Sequence, residues 1–126
     1  MKLASLKNGR DGTLIVVDKK LSHAVEVPGI AASLLQALED WPAVQPKLEL
    51  VYGSINAGNQ AAEYISRVTA ETKVQQRVVD VPAMQKFLAE LSATLENGRL
   101  TNSFELNLNE LAAPLPRAPQ FVDGSA

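Results

Sequence analysis

The chain has 126 residues, 46% of them hydrophobic and 21% charged, with a formal net charge of −2 and no cysteine. That length suits one domain with a core of its own. The missing cysteines exclude disulfides, thiolate catalysis and cysteine-ligated zinc, and the scattered basic residues with a slightly negative balance argue against nucleic acid or an anionic membrane as partner.

No apolar run approaches the roughly 20 residues of a membrane span. The start, MKLASLKNGRDG, lacks the long apolar centre of a secretory signal, so the cytoplasm is the expected compartment. Along the chain, KLASLK reads as a strand and NGRDG as a glycine-bearing turn. TLIVVD is a β-branched, well-buried strand. After a turn at KKLSH, AVEV is a third short strand, which Pro28-Gly29 ends. Residues 2–27 are thus expected to form a three-stranded antiparallel meander.

The middle is helical. In SLLQALEDW, residues Leu34, Leu35, Leu38 and Trp41 recur at helical spacing, and Ser33 with Gln36 fits a capping box. The Leu34, Leu38 and Trp41 face is expected to pack on the meander. Pro42 breaks or restarts the helix. PKLELVYGSINAG sets Leu48, Val51, Tyr52 and Ile55 on one stripe, with Asn56 and Gly58 as its stop. NQAAEYISRV begins another helix through Ala61, Tyr64, Ile65 and Val68. KVQQRVVDV suits a strand or a continuing helix. PAMQKFLAELSATLENG is the clearest helix, with Met84, Leu88, Leu91 and Leu95 as its stripe, Asp80 as cap, Pro82 in the first turn and Gly98 as its end. SFELNL fits a final strand. The fold class is therefore α+β: a small antiparallel β-meander packed with several helices, followed by an extended Pro-rich linker.

Local chemistry offers no complete active site. The single histidine, His23, lies in a turn with no carboxylate partner close in sequence. Glu39 and Asp40 are adjacent, so on a helix they diverge, and they suit a solvated face or a cap. NGRDG precedes a strand and lacks the spacing of a phosphate loop. Trp41 suits a core anchor. Leu115, between two prolines, has the look of a proline-module ligand, but an extended linker is the simpler reading.

The two ends of the chain carry more. MKLASLKNGRDGTLIVVDKKLSHAVEVPGIAASLLQALEDWPAVQPKLELVYGSINAG resembles the start of bacterial proteins of the fumarylacetoacetate hydrolase family. The shared features are a Met-Lys-Leu strand, an Arg-Asp-Gly turn with a valine-rich strand, a helix ending in Asp-Trp and a helix ending near Asn-Ala-Gly. The closing APLPRAPQFVDGSA resembles the family's junction, and the resemblance covers residues 1–58 and 111–126. It departs in two places, the middle stretch and the junction. The stretch 59–109 is longer than the family's spacing and reads as a helical elaboration. Pro119 stands where an aromatic residue is usual. Phe121 replaces a tryptophan and Val122 an alanine.

The resemblance implies an N-terminal α+β domain over 1–111, with 112–126 as a linker into a larger catalytic domain, the domain's natural partner, and a possible homodimer. In such enzymes that larger domain holds magnesium or calcium and hydrolyses a carbon–carbon bond of a β-diketo acid. Asp123 corresponds to the family's first metal-binding aspartate. In the family the catalytic histidine follows that aspartate by seven residues, a spacing that the resemblance would place past Ala126. The implied role is therefore a non-catalytic N-terminal domain, inactive by itself. The alternative is a freestanding interaction module, with the Met84/Leu88/Leu91/Leu95 stripe as its partner surface.

Overall fold

The computed structural model describes residues 1–7, 12–74, 81–107, 109, 111–112 and 122–123, with residues 72–74, 81, 112, 122 and 123 described through their backbone only. Three strands open the chain: β1 (Lys2–Leu6), β2 (Thr13–Val17) and β3 (His23–Glu26). They pair antiparallel in sequence order, with Lys2 opposite Val17, Leu6 opposite Thr13 and Val17 opposite Ala24, so the expected meander is present. Of the turn between β1 and β2, residues 8–11 lie outside the described residues. Gly12 closes it at φ +73°, where an added Cβ would stand 2.9 Å from the Leu6 carbonyl oxygen. Glycine fits both demands.

Two helices follow, α1 (Leu34–Glu39) and α2 (Trp41–Ala57). Ser33 Oγ accepts from the Gln36 N–H at 3.2 Å, and Gln36 Oε1 accepts from the Ala32 N–H at 3.2 Å. The cap is thus reciprocal, with its return arm one residue earlier than in a capping box. The expected Leu34, Leu38 and Trp41 face needs correction. Leu34 and Ala37 are buried, whereas Leu35 and Leu38 are 49% and 41% exposed. The helix lasts six residues, and Asp40 leaves helical geometry at φ −130° and ψ 41°, so Trp41 starts a new axis. The stripe cannot run through that break. Leu34→Ala is therefore expected to cost about 2–5 kcal/mol and Leu38→Ala less than about 1 kcal/mol in urea denaturation. Equal losses would mean that α1 packs on its other side.

Pro42 sits in the first turn of α2, where its missing N–H has no cost. Leu48, Val51 and Ile55 of the expected stripe are buried, with Tyr52 half-buried. Val44, Leu50 and Ser54 join them. Gly58 ends α2 at φ +57°, and a 3-10 turn (Gly58–Gln60) leads into α3 (Ala61–Val74). Of the ambiguous stretch, residues 73–81, Lys73 and Val74 end α3 and Val81 opens the next helix, while 75–80 with the Asp80 cap lie outside the described residues.

The next helix, α4 (Val81–Ala93), is shorter than expected. Leu88 and Leu91 are buried, and Met84 and Leu95 are half-buried against the same core. Gly98 does not end this helix. It forms the tip of a hairpin between β4 (Leu95–Glu96) and β5 (Arg99–Leu100), with Asn97 at φ 54° and Gly98 at φ 83°. Two successive left-handed residues make the tight hairpin turn that Asn-Gly favours. The 59–109 stretch thus holds strands as well as helices.

A further strand, β6 (Ser103–Glu105), pairs antiparallel with β3. Two short pairings, β7 (Leu111–Ala112) and β8 (Val122–Asp123), lie antiparallel along the outer edge of β1. The sheet order is β6, β3, β2, β1, then β7 and β8 on one edge. One face carries Leu3, Leu14, Val16 and Val25 against α1 and α2, and α3 and α4 complete the same core. The other carries Ala4, Ile15, Val17 and Ala24 with Leu111. Among the described residues, no helix is long and apolar enough to cross a membrane.

Candidate functional site

A cleft of about 390 Å³ opens where the β2–β3 turn, the end of α2 and the β5 segment meet. The turn supplies Asp18, Lys19, Lys20, Ser22 and His23, the helix end supplies Ser54, Asn56 and Gly58, and Arg99, Leu100 and Ser103 close the far side.

Asp18 organises the turn. Its Oδ1 accepts from the backbone N–H of Ser22 at 2.8 Å and of His23 at 3.3 Å, and its Oδ2 accepts from Ser22 Oγ at 2.8 Å. This is an aspartate turn, in which the side chain replaces a backbone acceptor. Leu21, at φ 57°, takes the left-handed position that the tight path requires. The turn is tied to α2 through Asn56, whose Oδ1 accepts from the Lys19 N–H at 2.8 Å while its Nδ2 donates to the Tyr52 carbonyl at 2.9 Å. Sequence reasoning read Asn56 as a helix stop and missed this second use.

Asp18, Ser22 and His23 are the three residue types of a hydrolytic triad, but their order in space is wrong for one. Ser22 Oγ gives its proton to Asp18 and lies 3.1 Å from His23 Nδ1, while His23 Nδ1 stands 3.9 Å from Asp18 Oδ2. A triad needs histidine between serine and carboxylate, so that the ring takes the serine proton. Here the serine bridges the other two and its proton is spent on the carboxylate. The reading of His23 as lacking a carboxylate neighbour is corrected, since Asp18, five residues earlier, is brought beside it by the turn.

Burial pushes the Asp18 carboxyl up, but the Ser22 N–H, the Ser22 hydroxyl, the His23 N–H and the nearby His23 ring together hold it below its ordinary value. A carboxylate held low stabilises the fold above its unfolded pKa of about 3.9, and that contribution is lost as pH falls through the lower folded pKa. Asp18→Asn is expected to lower stability by roughly 1–2 kcal/mol at pH 7, with the gap to the parent chain closing in strong acid. Chemical denaturation at the two pH values checks this. A gap independent of pH would remove the charged carboxylate from the account.

The other sequence candidates stay apart. Glu39 and Asp40 are exposed, and Asp40 occupies the cap position before α2 without a side-chain cap bond. Trp41 packs, half-buried, against the main core as expected of an anchor. Leu88 and Leu91 are inside the domain's own core, so the α4 stripe is not a free partner surface. Leu115 and the Pro-rich stretch lie outside the described residues. Asp123 pairs through its backbone register with Lys2 on the edge of β1. Among the described residues no three histidine or carboxylate side chains gather where they could hold a metal ion.

What fold and cleft define together is a small α+β domain whose polar residues brace a turn. A family model, Fumarylacetoacetase N-terminal domain 2, matches residues 1–74. That match spans more than half of the chain, and the chain belongs to this family of N-terminal domains. No curated protein matches it.

Proposed function

We propose that this chain serves as the non-catalytic N-terminal domain of a fumarylacetoacetate-hydrolase-like enzyme, which hydrolyses a carbon–carbon bond of a β-diketo acid with magnesium or calcium in a separate catalytic domain. The observation that carries the reading is the family match over residues 1–74. The chemistry within the chain supports it. Ser22 Oγ donates to Asp18 and stands between it and His23, so these three residues do not have the order of a hydrolytic triad. Asp123, the one residue that the resemblance assigns to the metal, offers one carboxylate where a hard cation needs several oxygens. The exposed Leu35 and Leu38 supply an apolar surface for the neighbouring domain.

The purified chain is expected to show no hydrolysis of an acylpyruvate, with or without added magnesium. Metal-dependent turnover that disappears in Asp123→Ala would overturn the reading. Addition of a separately produced catalytic domain is expected to protect Leu35 and Leu38 amides from exchange.

A further inference from the structure

The cleft beside the β2–β3 turn has an uneven charge. Lys19 and Lys20 stand on the turn and Arg99 on β5, all exposed at the rim. The one carboxylate among the lining residues, Asp18, is buried and has both oxygens occupied by donors of its own turn. It braces the loop and makes no ion pair with any of the three cations within the described residues. Lys19 uses its backbone N–H on Asn56, and its ammonium has no carboxylate partner there. Glu96 and Glu105 line an adjoining hollow that shares His23 and Arg99 with the cleft. At the helix end that borders the cleft, the Gly58 N–H donates to the Ile55 carbonyl oxygen.

Three cations on two separate elements around a small, partly enclosed volume favour a compact ligand with charge to share between them. Charge-assisted hydrogen bonds from lysine and arginine to an oxyanion are among the stronger polar contacts. We propose that this cleft binds a small oxyanion carrying two negative charges, a phosphate ester or a dicarboxylate, held between Lys19 and Lys20 on the turn and Arg99 on β5. The Asp18 brace sets the turn that presents both lysines, and Asn56 holds that turn against α2. The inference does not depend on the domain's role beside a catalytic partner.

The test is a backbone amide titration of the whole 126-residue chain at low ionic strength with inorganic phosphate and, separately, succinate. Sodium chloride at matched ionic strength serves as control. Saturable shifts are expected at residues 18–23, 54–58 and 99–103. Tighter phosphate binding assigns the site to phosphate esters, and tighter succinate binding to dicarboxylates. Lys20→Ala and Arg99→Ala should each weaken binding by about tenfold. Both side chains are exposed, so the fold should survive, and unchanged thermal melting would verify that. Lys47→Ala, whose ammonium lies 5.8 Å from the Phe87 ring centroid away from the cleft, should leave binding unchanged. Shifts reproduced by chloride, or binding that persists in the Lys20→Ala, Arg99→Ala double variant, would overturn the proposal.

Discussion

Ile15→Asp is expected to abolish cooperative folding of the chain. Ile15 is 0% exposed, and it faces away from the helices. On a sheet covered on one side only, that position would meet water and would tolerate a carboxylate. Here the same face also buries Ala4, Val17 and Ala24 completely, with Leu111 and the half-buried Leu6, Leu21, Phe104 and Leu106 packed around them. The Leu106 N–H donates to the Ser22 carbonyl at 2.9 Å, which fastens that late segment over the β2–β3 turn. An isolated charge in such a place costs several kcal/mol or forces the group to stay neutral. A domain of this size has about 5–15 kcal/mol of stability in all. Ile15→Ala, which removes volume without adding charge, should cost about 2–5 kcal/mol, comparable with a truncation on the helix-covered face. Circular dichroism and denaturant melts separate the outcomes. A folded Ile15→Asp variant that loses less than about 1 kcal/mol would mean that this face is open to solvent.

The β2 sequence hinted at this double burial. Leu14, Ile15, Val16 and Val17 form an unbroken apolar run, which is the pattern of a strand covered on both sides. What the run could not say is which residues do the covering, because Phe104, Leu106 and Leu111 are separated from it by most of the chain. Helices α2 and α3 were legible for a similar reason: their periodicity is local and long. In helix α1 the stripe was carried on to Trp41 across a break that Pro42 signals in the sequence and the backbone at Asp40 locates. The Asn97-Gly98 hairpin carried a clear signal of its own, but the leucine spacing through Leu95 masked it and extended the preceding helix on paper. The candidate site was the least legible part. Asp18 lies five residues before His23, Asn56 lies 37 residues beyond Lys19, and Arg99 further still. A turn held by its own aspartate leaves a weak trace in sequence, and a cleft assembled from three distant segments leaves none until they fold together.

Gly53→Val is expected to cost about 3 kcal/mol, and the reason lies on a different helix. Gly53 stands within α2, where glycine is ordinarily a liability and alanine would be favoured by about 1 kcal/mol. Its φ is not of the left-handed kind, so backbone freedom does not explain it. A Cβ at Gly53 would collide with the hydroxyl and ring edge of Tyr64 on α3. The missing side chain is therefore the seat of a tyrosine ring at the α2–α3 crossing. Tyr64 has little room to retreat: it packs against the main core, and the Arg67 guanidinium lies 5.6 Å from its ring centroid. Burial raises the pKa of its phenol, with Arg67 opposing and Glu49 and Glu71 adding to the rise, as befits a ring withdrawn between two helices. Gly53→Ala sets the two effects against each other. Overpacking of 1–3 kcal/mol should outweigh the helical gain, for a net loss of about 1 kcal/mol. The decisive measurement is the same substitution in a Tyr64→Ala background. With the ring gone, only the helical preference remains, and Gly53→Ala should become stabilising by up to about 1 kcal/mol. The sign of its effect would reverse, which no explanation based on the backbone of α2 alone predicts. If Gly53→Ala changes stability by the same amount in both backgrounds, the glycine is not there for the tyrosine.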